Sequence, residues 1–407
     1  MKRPLILFLI LTAGVVHFGQ ELQHEAVTVN IEVPVRVFDG DRFVDTLTLK
    51  DFEVYEDGIT QEIEAVYLVK KTEIQREESE LPKETARQVF SPKVARHYVL
   101  LFEVQEYLPK LGEAIAYFFA NVLQPGDTLS AVTPLKTYHF KDEAYSRLTR
   151  EAMAEQLVSK LKKDARIANA EYWSLTREIE DLMANTGIFS AGVGGSEMIA
   201  LKDMMLRLEQ LRYVEEKNLK TFADFLRAKS GQKNVFLFYQ KEVLPQMSPQ
   251  AVLNATSGNP SNPGVLFDMM DLYDFYRRDI TFDVKMIKRL FSDSSITIHF
   301  LYLTRISSRE LDAQRMQSLL SLGLTYVEQS EDIFSAFNEL AIATGGFTTS
   351  SGDASSAFQK AVEASENYYL LYYRPQTYRA DGRFRTITVR IKGRKYRILH
   401  RSGYLAD

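Results

Sequence analysis

The chain has no cysteine, one tryptophan and six histidines in 407 residues. Without cysteine there can be no disulfide, thiolate nucleophile or cysteine metal site, so packing alone must hold the fold. The histidines, at 17, 24, 97, 139, 299 and 400, show no HExxH spacing, and GxSxG is missing. The most compact signatures of metalloprotease and serine-hydrolase chemistry are therefore absent. His299 lies within an apolar stretch and reads as a packed side chain. No enzymatic activity and no cofactor are expected. Excess charge is also scarce, because 50 Lys+Arg against 54 Asp+Glu leave a net charge of −4. That balance gives no bulk electrostatic reason for binding nucleic acid. What the chain does have is apolar material, 45% hydrophobic and 12% aromatic, which excludes disorder throughout.

No apolar run reaches the roughly 20 residues that a membrane-spanning helix needs. Lys2 and Arg3 precede an apolar stretch from Leu5 to Leu11, and Thr12, Ala13 and Gly14 follow. This is the pattern of a secretory signal peptide over residues 1–19, so the chain is expected to be exported, to the periplasm or outside the cell. Loss of Lys2 and Arg3 would leave 48 basic against 54 acidic residues.

Val27, Val29, Ile31, Val33, Val35 and Val37 alternate with polar residues, the period of a half-buried strand. Turns at Asp39-Gly40 and Asp57-Gly58 complete an N-terminal β module over 26–69, and a charged linker is expected over 70–93. The period then changes. Tyr98–Phe102, Thr128–Thr133, Val235–Tyr239 and Ile296–Leu303 read as buried strands, and Pro109–Leu123 as a helix opened by proline. Strands alternating with helices predict an α/β domain over 94–350, with a mostly parallel sheet and helices on both faces. A helical insertion spans about 146–229, where Met198, Leu201, Met205, Leu208 and Leu211, then Phe222, Phe225 and Leu226, form stripes expected to pack in the core. Residues 366–407 read as antiparallel β again, and the two flanks are expected to pair as one β-sandwich, since short sheets leave open edges.

Several motifs carry a resemblance. They are Val35-Arg36-Val37-Phe38-Asp39, Leu49 through Gly58, Gly231-Gln232-Lys233-Asn234 running into Val235–Phe238, and Ala343-Thr344-Gly345-Gly346. The last is Tyr368–Tyr373 with Asp381–Arg385 and Arg401–Tyr404. In this order they resemble the VWFA-related domain family of exported bacterial proteins, best known from Acidobacteria. The resemblance implies a Rossmann-like von Willebrand factor type A (VWA) domain that binds a protein partner. Such domains usually bind through a metal-ion-dependent adhesion site, built from an Asp-x-Ser-x-Ser motif, a threonine and a further aspartate. Here Glu103, Gln105 and Tyr107 stand at the motif positions, and after Phe238 Gln240 stands at the later carboxylate position, with Tyr239 where a serine would be. Both serines are missing, so the site is expected to be degenerate and metal-free. The binding surface is placed at the carboxyl ends of the strands, on Glu103, Gln105, Glu106, Tyr107, Tyr239 and Gln240.

Two features lie outside this reading. Gly192 through Glu197 could cradle a phosphate, so a hydrolase or small-ligand-binding protein using the loop 187–197 is the alternative. It lacks a preceding strand, which favours a plain loop with Ser196 as helix cap. Arg374–Arg401 holds ten basic residues against Asp381 alone, enough for peripheral contact with the envelope or an anionic surface.

Overall fold

The computed structural model describes residues 29–406 apart from 141–145, 186–194 and most of 80–93, 251–279 and 306–323. The expected signal segment lies outside the described residues.

The chain begins with β1 (Ile31–Asp39), β2 (Arg42–Phe43), β3 (Phe52–Glu56), β4 (Ile59–Gln61), β5 (Ile63–Lys70) and β6 (Glu73–Ser79). Asp57 and Gly58 both take positive φ, the twist that a two-residue hairpin between β3 and β4 requires. The charged stretch expected as a linker thus contributes β6, and its Glu and Arg side chains suit a sheet edge, where charge discourages further pairing.

The central region runs β7 (Arg96–Glu103), α1 (Pro109–Tyr117), β8 (Thr128–Val132), β9 (Thr137–Phe140), α2 (Arg150–Ala168), α3 (Ala170–Asn185), α4 (Gly195–Leu211) and α5 (Glu216–Arg227). It continues with β10 (Gln232–Gln240), β11 (Val243–Met247), α6 (Val284–Asp293), β12 (Ile296–Leu303), β13 (Leu324–Glu328), α7 (Glu331–Ala343), β14 (Thr348–Ser351) and α8 (Ala354–Glu366). The chain closes with β15 (Asn367–Tyr373), β16 (Phe384–Ile391), β17 (Arg397–His400) and β18 (Gly403–Leu405).

The expectation of a Rossmann-like VWA fold with a mostly parallel sheet is overturned. The central sheet, in the order β14-β12-β10-β7-β8-β9, is mixed, because β9 runs antiparallel to β8. Four residues join those two strands, and so short a connection permits only a hairpin. A second antiparallel pair, β11 with β13, stands beside the sheet. Over the described residues ten strand pairings are antiparallel and four parallel. The protein is a mixed α/β structure built mostly of antiparallel pairings. Periodicity identifies buried strands but carries no direction, and β9, β11 and β13 have too weak a pattern to announce themselves.

The two ends of the chain share their sheets. β15 lies between β1 and β5, and β16 pairs with β3, so N-terminal and C-terminal strands interleave. The sheets β17-β1-β15-β5-β6 and β18-β16-β3-β4 curl around one apolar cluster as a half-barrel. Val33, Val35, Val37, Val54, Tyr369 and Leu371 fill that cluster. Buried Glu56 sits beside it and accepts hydrogen bonds from Tyr373 Oη at 2.7 Å and Tyr404 Oη at 2.9 Å. Two further clusters sandwich the central sheet, one around Phe102, Phe118, Phe236 and Phe358, the other around Leu237, Phe291, Phe300 and Phe337. Among the described residues no helix is long and apolar enough to cross a membrane.

Burial also fixes a pH response. His299 is fully enclosed in β12, and burial holds its pKa well below 6.5; burial also lowers His97 and His400. A group whose folded pKa is depressed contributes stability above its unfolded pKa and loses it as pH falls. Between pH 6.5 and 5.5 the unfolded chain takes up protons that folded His299 refuses, at up to about 1.4 kcal/mol per pH unit. Glu366, raised by burial, acts in the opposite sense. Urea midpoints should therefore fall between pH 7.5 and 5.5, and His299→Asn should flatten that fall. Equal midpoints at both pH values would contradict it.

Candidate functional site

Successive side chains of a strand point to opposite faces, and β7 and β10 show this directly. Tyr98, Leu100, Phe102, Phe236 and Phe238 face one apolar cluster, whereas Val99, Leu101, Val235, Leu237 and Tyr239 face the other. On that second face α5 packs Ala223 and Leu226 into the core. Its Phe225 instead overhangs the sheet edge, with its ring 5.8 Å from His139 on β9. Beneath the overhang lies a cleft of about 790 Å³. Leu101, Val132 and Leu237 line its floor, and Leu135, Leu211, Tyr213 and Phe225 stand around it, each more than two-fifths exposed. Leu211 and Phe225, expected as core, therefore belong to a surface. Leu201, Met205, Leu208 and Leu226 of the same stripes are buried.

The six candidate residues divide between several environments. Glu103, Gln105 and Tyr239 line this cleft. Glu103 is exposed and Gln105 half-buried, and the segment that follows β7 is pinned by α3 and the residue before it. Asn169 Nδ2 donates to Val104 O at 3.0 Å, and Trp173 Nε1 to Gln105 O at 3.4 Å. Gln240 is fully buried, and its Oε1 accepts from the backbone N–H of Gln105 at 3.0 Å and of Glu106 at 3.3 Å. Its Nε2 donates to Arg305 O at 3.3 Å. Gln240 is thus a clamp on the loop that carries Gln105 and half-buried Glu106. Its oxygen, already engaged by two amide hydrogens, is poorly disposed toward a cation. Tyr107 points into a different groove, between α1 and α2, where its hydroxyl lies against Gly112 and Lys162 Nζ sits 4.7 Å from its ring centroid. The expected common crevice is therefore two grooves and a buried clamp. Among the described residues no group of three or more His, Asp or Glu side chains is placed to hold a metal ion.

Tyr239 leads to a polar cluster that the sequence did not announce. Its hydroxyl donates to Glu242, which is paired with Arg212 at 2.7 Å, and the Glu242 N–H donates to Ser330 Oγ at 3.3 Å. Ser330 Oγ lies 2.7 Å from Tyr302 Oη, whose hydroxyl donates to Glu328, and Lys241 pairs with Glu328 in turn. Burial and the neighbouring carboxylate push the Tyr302 hydroxyl above its usual range. Burial alone would raise Glu328, but the Lys241 ammonium and the Tyr302 hydroxyl outweigh it and keep the carboxyl low. Neither group is poised near neutral pH for proton transfer. The cluster works as a strut that ties the ends of β10 and β12 to the β11–β13 pair. Only the placement of polar residues just beyond two apolar strands could have signalled it.

Of the remaining candidates, the loop 187–197 lies largely outside the described residues. α4 begins at Gly195, which puts Ser196 in its first turn and not at the cap. Several cations of the basic C-terminal segment are engaged within the fold. Arg374 pairs with Glu64, and Arg385 with Asp381 and Asp57; Arg390 lies over Tyr55 and Arg397 over Phe38, while Arg401 is part-buried. Comparison with protein-family models, with curated proteins and with solved structures finds no match to this chain.

Proposed function

We propose that the chain is an exported protein-interaction module that receives apolar side chains of a protein partner in the cleft under α5. This is the binding role implied by the VWFA-related resemblance, without a metal. The supporting observation is the apolar rim of Leu135, Leu211, Tyr213 and Phe225, exposed together around a recessed apolar floor. Such patches, rimmed here by Lys136, Glu215 and Asn218, mark sites of association more often than chance exposure does. The mixed signs of that rim argue against nucleic acid as the target.

Tyr239 is a poor probe of this cleft, because it is buried and shared with the strut. Leu135→Glu with Phe225→Glu tests the cleft instead, since both side chains are exposed and their replacement should alter stability by less than about 1 kcal/mol. Crosslinked capture from an envelope fraction should recover a partner with the native chain and at least tenfold less with the double variant. Equal recovery by both would move the interface elsewhere.

A further inference from the structure

The outer face of β1 carries an arginine where a sheet packed on another layer would normally carry an apolar residue. Arg36 is 1% exposed. Its Nη1 donates to Gly345 O at 3.3 Å, while Nε and Nη2 have no hydrogen-bond partner among the described residues. Its guanidinium carbon lies 5.6 Å from the centroid of the Tyr368 ring. No carboxylate among the described residues forms an ion pair with it, unlike buried Arg96, which has Asp127, or Arg212, which has Glu242. Other polar groups sealed from solvent lie close enough to interact electrostatically with Arg36, namely Tyr368, Tyr98 and His299. Tyr368 Oη and His299 Nδ1 also have no hydrogen-bond partner among the described residues. Tyr98, Asn234 and His299 come from β7, β10 and β12, where Asn234 is the register partner of Tyr98 and its Oδ1 lies 3.4 Å from His299 Nε2. Each of these side chains is nine-tenths or more buried.

A lone guanidinium taken out of water loses several kcal/mol of hydration, and one carbonyl with one aromatic face returns only part of that. Burial accordingly lowers the Arg36 pKa to about 10, which leaves the group charged at neutral pH. The balance calls for a negative charge small enough to fit between two packed layers. We propose that Arg36, with Tyr368 Oη and His299 Nδ1, holds a small monovalent anion of chloride's size between β1, β15 and the central sheet. His299 then carries its hydrogen on Nδ1. Asn234 turns its amide nitrogen toward Nε2, an exchange of O and N that keeps the 3.4 Å contact. The anion would tie the half-barrel to the central sheet at the point where Gly345 receives Arg36.

The test is thermal unfolding of the whole chain at constant ionic strength, with sodium chloride replaced stepwise by sodium gluconate, whose anion is too large for the site. Chloride should raise Tm along a saturable curve, by on the order of 3 °C at high occupancy. Tyr368→Phe should weaken the response, and Arg36→Met should abolish it. If Arg36→Met does not fold, the tyrosine variant still decides. Identical Tm in the two salts would overturn the proposal and leave Arg36 to buried water. A chloride response unchanged in Tyr368→Phe, or one persisting in Arg36→Met, would also overturn it by placing the ion elsewhere.

Discussion

Asp127→Ala is expected to lower the free energy of unfolding by about 3–5 kcal/mol, read as a fall in the urea midpoint at unchanged slope. Arg96 and Asp127 are each 3% exposed and meet through two parallel hydrogen bonds, Nε to Oδ1 at 2.9 Å and Nη2 to Oδ2 at 2.6 Å. Arg96 Nη2 also donates to Val122 O, and Asp127 Oδ2 accepts the N–H of Gln124. Removal of the carboxylate therefore strands a buried cation and leaves a turn amide unpaired. The loss arises from that uncompensated charge more than from the pair's own attraction. Arg96→Met added to Asp127→Ala should thus recover part of it. A loss below about 1 kcal/mol in Asp127→Ala would show that water reaches Arg96. The pair also bears on the cleft, because it joins the start of β7 to the turn before β8, the two strands that supply Leu101 and Val132.

Gly346→Ala should cost at least about 3 kcal/mol, and it is expected to abolish folding at elevated temperature. A Cβ at this position would stand 1.7 Å from Ile298 O and 2.6 Å from Ile298 C, both backbone atoms of a central strand. Side chains can turn away from an intruding methyl group, but a paired strand cannot, so the cost exceeds ordinary overpacking. The adjoining backbone shows the same tight contact, with Phe300 N donating to Phe347 O at 2.8 Å and Ile298 N to Thr344 Oγ1 at 3.1 Å. Gly112→Ala is the control. There the close atom is the Tyr107 hydroxyl at 2.3 Å, the far end of a side chain that can move. Thermal melts of the two variants should differ widely, and similar melts would mean that β12 yields at Ile298.

Gly346 also shows how far the sequence could be read. The pair Gly345-Gly346 stood out as part of a motif, but its reason is a close approach between residues 48 positions apart, which no local pattern contains. Gln240 is a similar case. Its position at the end of an apolar strand marked it as a candidate, and only the tertiary structure brings its amide onto the loop after β7. Tyr107 and Tyr239 looked equivalent as aromatic residues near strand ends. Tyr107 turned toward α2, whereas Tyr239, still within β10, follows that strand's alternation into the core.

The alternation of β1 and β16, the continuous apolar runs of β7, β10 and β12 and the helix opened by Pro109 were legible in advance, because these patterns act over a few residues. The amino-acid sequence by itself also determined that packing replaces disulfides, since there is no cysteine to form one. Strand direction, the mixed central sheet and the interleaving of the two chain ends were settled only in the tertiary structure. So were the cleft under α5 and the lone charge of Arg36. These depend on which surfaces meet across long separations in sequence, where burial and unpaired backbone groups at sheet edges select the partner.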